Sequence, residues 1–235
     1  MTCYIDPNHC LSWDALLPYV HPYVLGAPDE VILQAIRTST IEFCRRSAIL
    51  HDVNVLDIQK GVRDYPLETI CDYEIVRIFQ VSSRNKMIWQ YSPSIMMTPS
   101  SNFGTDVMLG FGGYYGSWYY DGAGLGYTFY VQQPNLIILN VIPDKDDPKE
   151  LVVEFIVQPK QDGCTLDNGL YEAWAEGIAY GAITRLLMMP NTSWFSMPTA
   201  KEYQIKYRNE LARARTAVDL NFTSGPAMMR TVRWI

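Results

Sequence analysis

The feature that most constrains the fold is a pair of helical patterns after residue 167, separated by a sharp break. The first begins after Asp167, a residue type that caps helices by accepting an amide hydrogen bond, and continues to Pro190. Pro190 ends it because proline lacks an N–H and disfavours helical geometry in the preceding residue. Pro198 opens the second pattern, where a fixed φ costs nothing. Two consecutive helices joined by a short loop are therefore predicted.

The first of these helices is apolar on nearly every side, which predicts that it is buried. It also carries Ala173, Gly177 and Gly181 at steps of four residues. An interior glycine costs about 1 kcal/mol of helix propensity against alanine, so two on one stripe indicate that another backbone passes close by. That backbone belongs either to the same chain or to a second subunit. We take these three residues as candidates for a subunit interface and leave the intramolecular alternative open.

The second helix is amphipathic. Its apolar stripe comprises Ala200, Tyr203, Tyr207, Leu211, Ala214, Val218 and Phe222. On the opposite, charged face, acidic and basic residues are spaced so that neighbouring turns form ion pairs. Arg208, Arg213 and Arg215 on that face complete the candidate subunit interface.

A third helix is predicted over residues 29–47, with acidic residues in its first turn and Arg45 and Arg46 in its last, as the helix dipole prefers. Cys44 lies on its apolar side and is expected to be a buried thiol. Residues 1–28 contain four prolines and are expected to be irregular.

Between this helix and the later pair, the hydrophobic periodicity switches to two, which is typical of β-strands. The six predicted strands are 53–58, 73–81, 86–91, 126–131, 135–142 and 150–159. A block of strands followed by a block of helices favours the α+β class. We expect a helical bundle, made of one N-terminal and two C-terminal helices, with an inserted antiparallel β-sandwich or barrel-like domain.

The stretch 92–126 interleaves glycine with aromatic residues, and eight glycines fall between positions 104 and 126. A loop of this length in a compact domain is usually functional or disordered. It is either a hairpin that folds over its own sheet or an extended arm that orders against a partner. We favour the arm, because aromatic rings supply contact area at low entropic cost. The candidate partner-binding residues are Phe111, Tyr114, Tyr115, Trp118, Tyr119 and Tyr120.

The formal net charge of −6 is unevenly distributed. Seven Lys/Arg against three Asp/Glu give +4 from residue 196 onward, which leaves −10 for residues 1–195. An acidic body argues against nucleic-acid binding through phosphates, which requires a basic stripe. No signal-peptide pattern and no apolar run of membrane-spanning length occurs, so synthesis in a cytoplasm and no membrane contact are expected.

No arrangement typical of catalysis is visible, so we expect no enzyme, no cofactor and no metal site. Cys3, His9 and Cys10 lack a fourth ligand and fit an ordinary reduced terminus better than a metal site. Glu172 and Glu176 have the one-turn spacing of carboxylates in metal-binding bundles, but no histidine accompanies them. They fit a solvated or interface stripe better.

One family likeness rests on the order of these elements. The run LYEAWAEGIAYGAITRLLMMP, the loop residue Trp194 and the run AKEYQIKYRNELARAR resemble the C-terminal helical pair of phage head-to-tail adaptor proteins, also called tail tubular protein A. The run LLPYVHPYVLGAPDEVILQAIRTSTIEFCRRSAIL resembles the first helix of that family. The likeness covers both ends of the chain and leaves the β-rich middle unmatched.

This resemblance implies a structural virion protein at the head–tail junction. It implies residues 1–52 and 161–222 forming an α-bundle, residues 53–160 forming an inserted β-domain, and residues 223–235 forming an extended tail that docks on the portal. The implied partners are the portal protein, a tail nozzle or tail tube component, and other copies in a dodecameric ring around passing double-stranded DNA. The implied portal-binding residues are Met228, Met229, Arg230, Arg233, Trp234 and Ile235.

Two alternatives remain. A tail nozzle or tail-completion protein would also form rings but would join the far side of the tail. A carbohydrate-binding β-sandwich would use the aromatic stretch 92–126 as a sugar platform.

Overall fold

The computed structural model describes residues 10–69, 72–83, 86–90, 128–133, 135–163 and 165–220. This part of the chain is mixed α+β. Its helices are α1 (Leu17–Val20), α2 (Asp29–Ser47), α3 (Asn168–Leu187) and α4 (Met197–Asp219). Its strands are β1 (Cys10–Ser12), β2 (His51–Ile58), β3 (Asp64–Pro66), β4 (Tyr73–Ser83), β5 (Lys86–Gln90), β6 (Thr128–Gln133), β7 (Leu136–Leu139), β8 (Asp147–Pro159) and β9 (Thr165–Asp167).

The three long helices confirm the sequence-based prediction, and each of the six predicted strands is present. Asp167 caps α3 by accepting the backbone N–H of Leu170 at 2.8 Å. Pro198 lies in the first turn of α4. The helix α2 ends at Ser47 and is capped by Ala48, which has a left-handed backbone (φ 57°) and donates its N–H to the carbonyl of Cys44 at 2.9 Å.

The expectation that residues 1–28 are irregular is wrong for the residues from 10 onward. They form β1, a 3-10 turn over Trp13–Leu16, the short helix α1 and a second 3-10 turn over His21–Tyr23. Prolines stand in the first turn of α1 and of the second 3-10 turn, where they are compatible with a helical start.

The described strands form two sheets. The strands β1 and β9 pair antiparallel, and a seven-stranded sheet has the order β2-β8-β4-β5-β6-β7-β3. Within it, β4–β5, β6–β7 and β3–β7 are antiparallel, whereas β5 and β6 run parallel. Since β2 and β3 stand at opposite ends of this order, the sheet is not a closed barrel, which corrects the barrel alternative.

The chain divides into two compact units: residues 1–52, 69–77 and 155–235, and residues 53–68 and 78–154. In the first unit, α2, α3 and α4 enclose one hydrophobic core. Among the largest fully buried side chains of this core are Leu16, Ile32, Ile36, Phe43, Leu166 and Ile178. Within the described residues, no helix has the length and apolar content needed to cross a membrane.

The second unit has a core of its own on the seven-stranded sheet. Along β8, Leu151 and Val153 are fully buried while Val152 and Glu154 are half-buried, which is the alternation expected of a strand with one face on a core. The other buried apolar residues of this unit are Ile58, Tyr65, Leu67, Val81, Ile88, Phe129, Ile137, Ile138 and Leu139.

Candidate subunit interface

The small residues on α3 pack against the chain itself. A Cβ at Gly181 would stand 2.1 Å from Ser39 Oγ on α2 and 2.8 Å from Tyr207 Cε2 on α4. A Cβ at Gly177 would stand 3.1 Å from Glu210 Cβ, also on α4. The close approach predicted from these two glycines is therefore intramolecular, and their assignment to a subunit interface is corrected. Ala173, the third member of the stripe, is exposed.

The hydroxyl of Ser39 bonds α2 to α3 where the two helices approach closely. It is fully buried and donates a hydrogen bond to the backbone carbonyl of Ile178 at 2.8 Å. A Cβ at position 181 would stand 2.1 Å from this hydroxyl, so the hydrogen bond needs the space that a residue without a side chain leaves. Gly181 supplies that space.

The outer face of α4 carries the cations that the sequence singled out, and most of them contact the same chain. Arg213 donates to both carboxylate oxygens of Glu210, at 2.7 and 2.9 Å, and its guanidinium lies 6.0 Å from the ring centroid of Trp174. Arg215 donates from Nε to the backbone carbonyl of Arg46 at 2.8 Å. Arg208 is exposed.

Next to this face lies a group of tyrosines that we call the tyrosine cluster: Tyr23, Tyr180 and Tyr203. The ring centroids of Tyr23 and Tyr203 are 5.3 Å apart, and those of Tyr180 and Tyr203 are 5.7 Å apart. Lys206 lies 4.6 Å from the Tyr203 centroid and pairs with Glu202 at 2.9 Å. Burial raises the pKa of Tyr180 and of Tyr203, and the hydrogen bond to Glu202 raises the pKa of Lys206.

The sequence pattern placed Tyr203 on the inner stripe of α4 but did not predict this cluster. Its three members come from the second 3-10 turn, α3 and α4, so no spacing along the chain links them. Tyr23 is 52 % exposed, which leaves an aromatic surface with an adjacent cation on the helical unit. Aromatic side chains with a polar tip are enriched at protein interfaces, so this surface can contribute to a subunit contact.

A second ionic group connects α2 with α3. Glu42 pairs with Arg46 one turn later at 2.8 Å and also with Arg185.

The hydroxyl of Tyr207 is buried and has no hydrogen-bond partner within the described residues. Burial is the main cause that raises the pKa of Tyr207, and the negative charge of Glu42 adds to it.

The carboxylates of Glu172 and Glu176 are exposed on α3. Glu172 accepts a hydrogen bond from the Asn168 amide at 2.7 Å, and Glu176 accepts one from the Tyr180 hydroxyl at 3.3 Å. Within the ranges that the structure describes, no three Asp, Glu, His or Cys side chains converge as metal ligands. Cys44 is fully buried in the core, and burial raises the pKa of its thiol.

Several predicted residues lie outside the described residues. These are the aromatic residues Phe111, Tyr114, Tyr115, Trp118, Tyr119 and Tyr120, and the C-terminal residues Met228, Met229, Arg230, Arg233, Trp234 and Ile235. Of the predicted subunit-interface residues, Ala173, Arg208, Arg213 and Arg215 are exposed on α3 and α4.

The chain matches no protein-family model and no curated protein.

Proposed function

We propose that this chain is a structural virion protein, a head-to-tail adaptor that joins the capsid portal to the tail as a ring around the DNA exit channel. The observation that carries this proposal is the packing of α2, α3 and α4 around one core although the strands β2–β9 separate α2 from α3 in sequence. The family resemblance implies this order of elements: one early helix and two late helices in one unit, with a β-rich insertion between them.

The proposed arrangement is a helical bundle with an inserted β-domain and a C-terminal segment, residues 223–235, that docks on the portal. Trp and Arg dominate the energetics of protein interfaces, and this segment contains Arg230, Arg233 and Trp234 without any acidic residue. Apolar anchors at Met228, Met229 and Ile235 would accompany them.

Ring closure requires a head-to-tail interface with two different faces on each subunit. We propose that one face is the exposed side of α3 and α4, with Ala173, Arg208, Arg213, Arg215 and the tyrosine cluster. The internal bonds of Arg213 and Arg215 support this, because a cation held by its own chain is ordered before it meets a neighbour.

The acidic body would line the channel. A surface with few free cations allows DNA to slide, because binding to the phosphate backbone depends on Lys and Arg. On this proposal Lys206, Arg213 and Arg215 face neighbouring subunits rather than the bore. A density map of the ring in which these three side chains line the channel would contradict it.

The test is a comparison of the full chain with a chain ended after Gly225, each mixed with portal rings of the cognate phage and imaged by negative-stain electron microscopy. We expect the full chain to decorate one end of the portal and the shortened chain to leave portals bare. Circular dichroism should show equal helix content, because every buried residue of α4 lies before residue 215. Co-sedimentation of the shortened chain with portal would refute the docking assignment.

The same images distinguish the two alternatives. A nozzle or tail-completion protein would form rings that do not bind portals. A carbohydrate-binding protein would form no rings and bind no portals, but it would bind a polysaccharide array.

A further inference from the structure

A groove of about 550 Å³ runs along the second unit between β2 and β3. Its lining includes every residue from Val53 to Asp57 on β2 and every residue from Asp64 to Pro66 on β3. Successive side chains of a strand point to opposite faces of a sheet, so a cavity on one face would be lined by alternate residues only. The groove therefore follows the edges of the two strands rather than one face of the sheet.

These two strands are the terminal members of the seven-stranded sheet, so each has a strand neighbour on one side only within the described residues. Side-chain bonds join the segments on either side of the groove. Asn54 accepts the backbone N–H of Glu68 at 2.9 Å, and Tyr65 accepts the N–H of Gln59 at 3.3 Å while donating to the carbonyl of Val62 at 3.0 Å. The two edges are thus held near each other without pairing.

The two edges differ in what they can bond. On β3, Pro66 has no N–H, and proline on an edge strand prevents further pairing. Residues 54–57 of β2 contain no proline, and among them Val55 is 52 % exposed, which is high for an aliphatic side chain in a strand. An added strand would therefore bond to β2 through one backbone edge and turn its other edge toward β3.

The charge of the lining selects the occupant. Asp57, Asp64 and Glu68 line the groove, and none of the lining residues that the structure describes is Lys, Arg or His. Asp57 also accepts the backbone N–H of Lys149 at 2.7 Å, which fixes its position. An acidic, half-apolar groove complements a strand that alternates apolar residues with cations.

We propose that the groove between β2 and β3 binds an extended, lysine- or arginine-bearing segment of another protein, which adds to the sheet as a strand along β2. This binding goes beyond the adaptor function and does not require it. Portal binding through the C-terminal segment and strand addition at this groove are separate events on separate units.

The binding test uses fluorescein-labelled seven-residue peptides and fluorescence anisotropy with the full chain. The probe has the sequence TKVKVKT, and its matched controls are TEVEVET and a probe whose alternate amides are N-methylated. We expect the probe to bind at least about tenfold more tightly than either control, because one control reverses the charge and the other removes the backbone donors. Equal binding of the three peptides, or no binding, would overturn the proposal.

The site is tested with the isosteric variant Asp57→Asn, Asp64→Asn, Glu68→Gln. Its matched control is Glu30→Gln, Asp162→Asn, Asp219→Asn, which removes the same charge from exposed acids of the other unit. The groove variant should lose about tenfold in affinity for the probe and the control variant less than about twofold. Equal losses would indicate non-specific attraction and would overturn the proposal.

Hydrogen exchange on the unmodified chain gives a readout that does not depend on a variant. Probe binding should slow exchange of those amides among residues 54–57 that point away from β8, and binding that leaves them unchanged would overturn strand addition. The last peptide to be measured consists of residues 226–235 of this chain. If it binds as tightly as the basic probe, the occupant is a second copy, and the assignment to another protein is wrong.

Discussion

At the scale of single residues, the contact between α2, α3 and α4 depends on the absence of one side chain. Gly181 leaves room for Ser39 Oγ and for the Tyr207 ring, and the hydrogen bond from Ser39 to the Ile178 carbonyl needs that room. The sequence predicted that a backbone passes near this glycine. It did not identify which one, because spacing along a helix carries no information about the molecule on the other side.

The variant Gly181→Ala tests this packing. Its Cβ would overlap a buried oxygen at 2.1 Å and a ring carbon at 2.8 Å, and overpacking of a core costs about 1–3 kcal/mol. Because alanine regains about 1 kcal/mol of helix propensity, we expect a net loss of up to about 2 kcal/mol in the free energy of unfolding, measured with urea.

The control is Gly177→Ala, whose nearest neighbour at 3.1 Å is a carbon of the Glu210 side chain. That carbon is Cβ, which moves only with its backbone, but a shift of a few tenths of an ångström relieves the contact. The regained helix propensity of about 1 kcal/mol then offsets the cost, so we expect a change near zero in the free energy of unfolding. A larger loss at Gly177 than at Gly181 would contradict the packing described here.

The buried hydroxyl of Tyr207 provides a second test. It has no partner within the described residues, so folding removes it from water without a compensating bond. The variant Tyr207→Phe keeps the ring against Phe43 and should raise the free energy of unfolding by about 0.5–1 kcal/mol. Tyr203→Phe is the comparison: it removes a hydroxyl that hydrogen-bonds to Tyr23, so we expect a loss of about 0.5–1.5 kcal/mol. A clear loss at Tyr207 would mean that its hydroxyl has a partner.

At the scale of elements, the parts that the sequence predicted are those with local causes. The bounds of α2 follow from a proline and two acids at its start, and the start of α3 follows from the cap at Asp167. The strands β1, β3 and β9 were missed because three residues are too few to display a period. The parallel pairing of β5 and β6 was missed because their register is set by contacts distant in sequence.

The cap on α3 allows a prediction at this scale. The variant Asp167→Ala removes the acceptor for the Leu170 amide and should cost about 1 kcal/mol of unfolding free energy. Asp167→Asn keeps an oxygen at the same position and should cost only a few tenths of that. Thermal unfolding followed by circular dichroism measures both. Equal losses would show that charge, rather than the hydrogen bond, is what matters.

At the scale of the whole molecule, stability should fall in alkaline solution. Burial raises the pKa of the Cys44 thiol above its unfolded value of about 8.5, so above that pH the unfolded state loses a proton that the folded state keeps. The unfolded state then binds fewer protons, and the free energy of unfolding decreases as pH rises. Tyr207 adds a similar effect above about pH 10.

The measurement is a series of urea titrations between pH 7 and 10 on the chain and on Cys44→Ala. The variant should be less stable at pH 7, because it leaves a cavity, but its stability should decline less between pH 8.5 and 10. Identical slopes for the two proteins would mean that Cys44 is not the titrating group.

The class α+β and the division into helices and strands could thus be predicted from the sequence. The candidate interface could be predicted only in part. The exposed arginines of α4 follow from its amphipathic pattern, whereas the tyrosine cluster brings together residues from three elements. The sequence also did not reveal that β2 and β3 are sheet edges, because strand order depends on pairings between distant segments.

The distance in sequence between α2 and its partner helices has a consequence for synthesis. About 120 residues separate Ser47 from Asn168, and ribosomes add about 5–20 residues per second. The apolar stripe of α2, including Ile32, Ile36 and Phe43, therefore leaves the ribosome about 6–24 s before α3 exists to cover it. A nascent chain of this design is a natural client for chaperones that hold exposed hydrophobic segments until translation is complete.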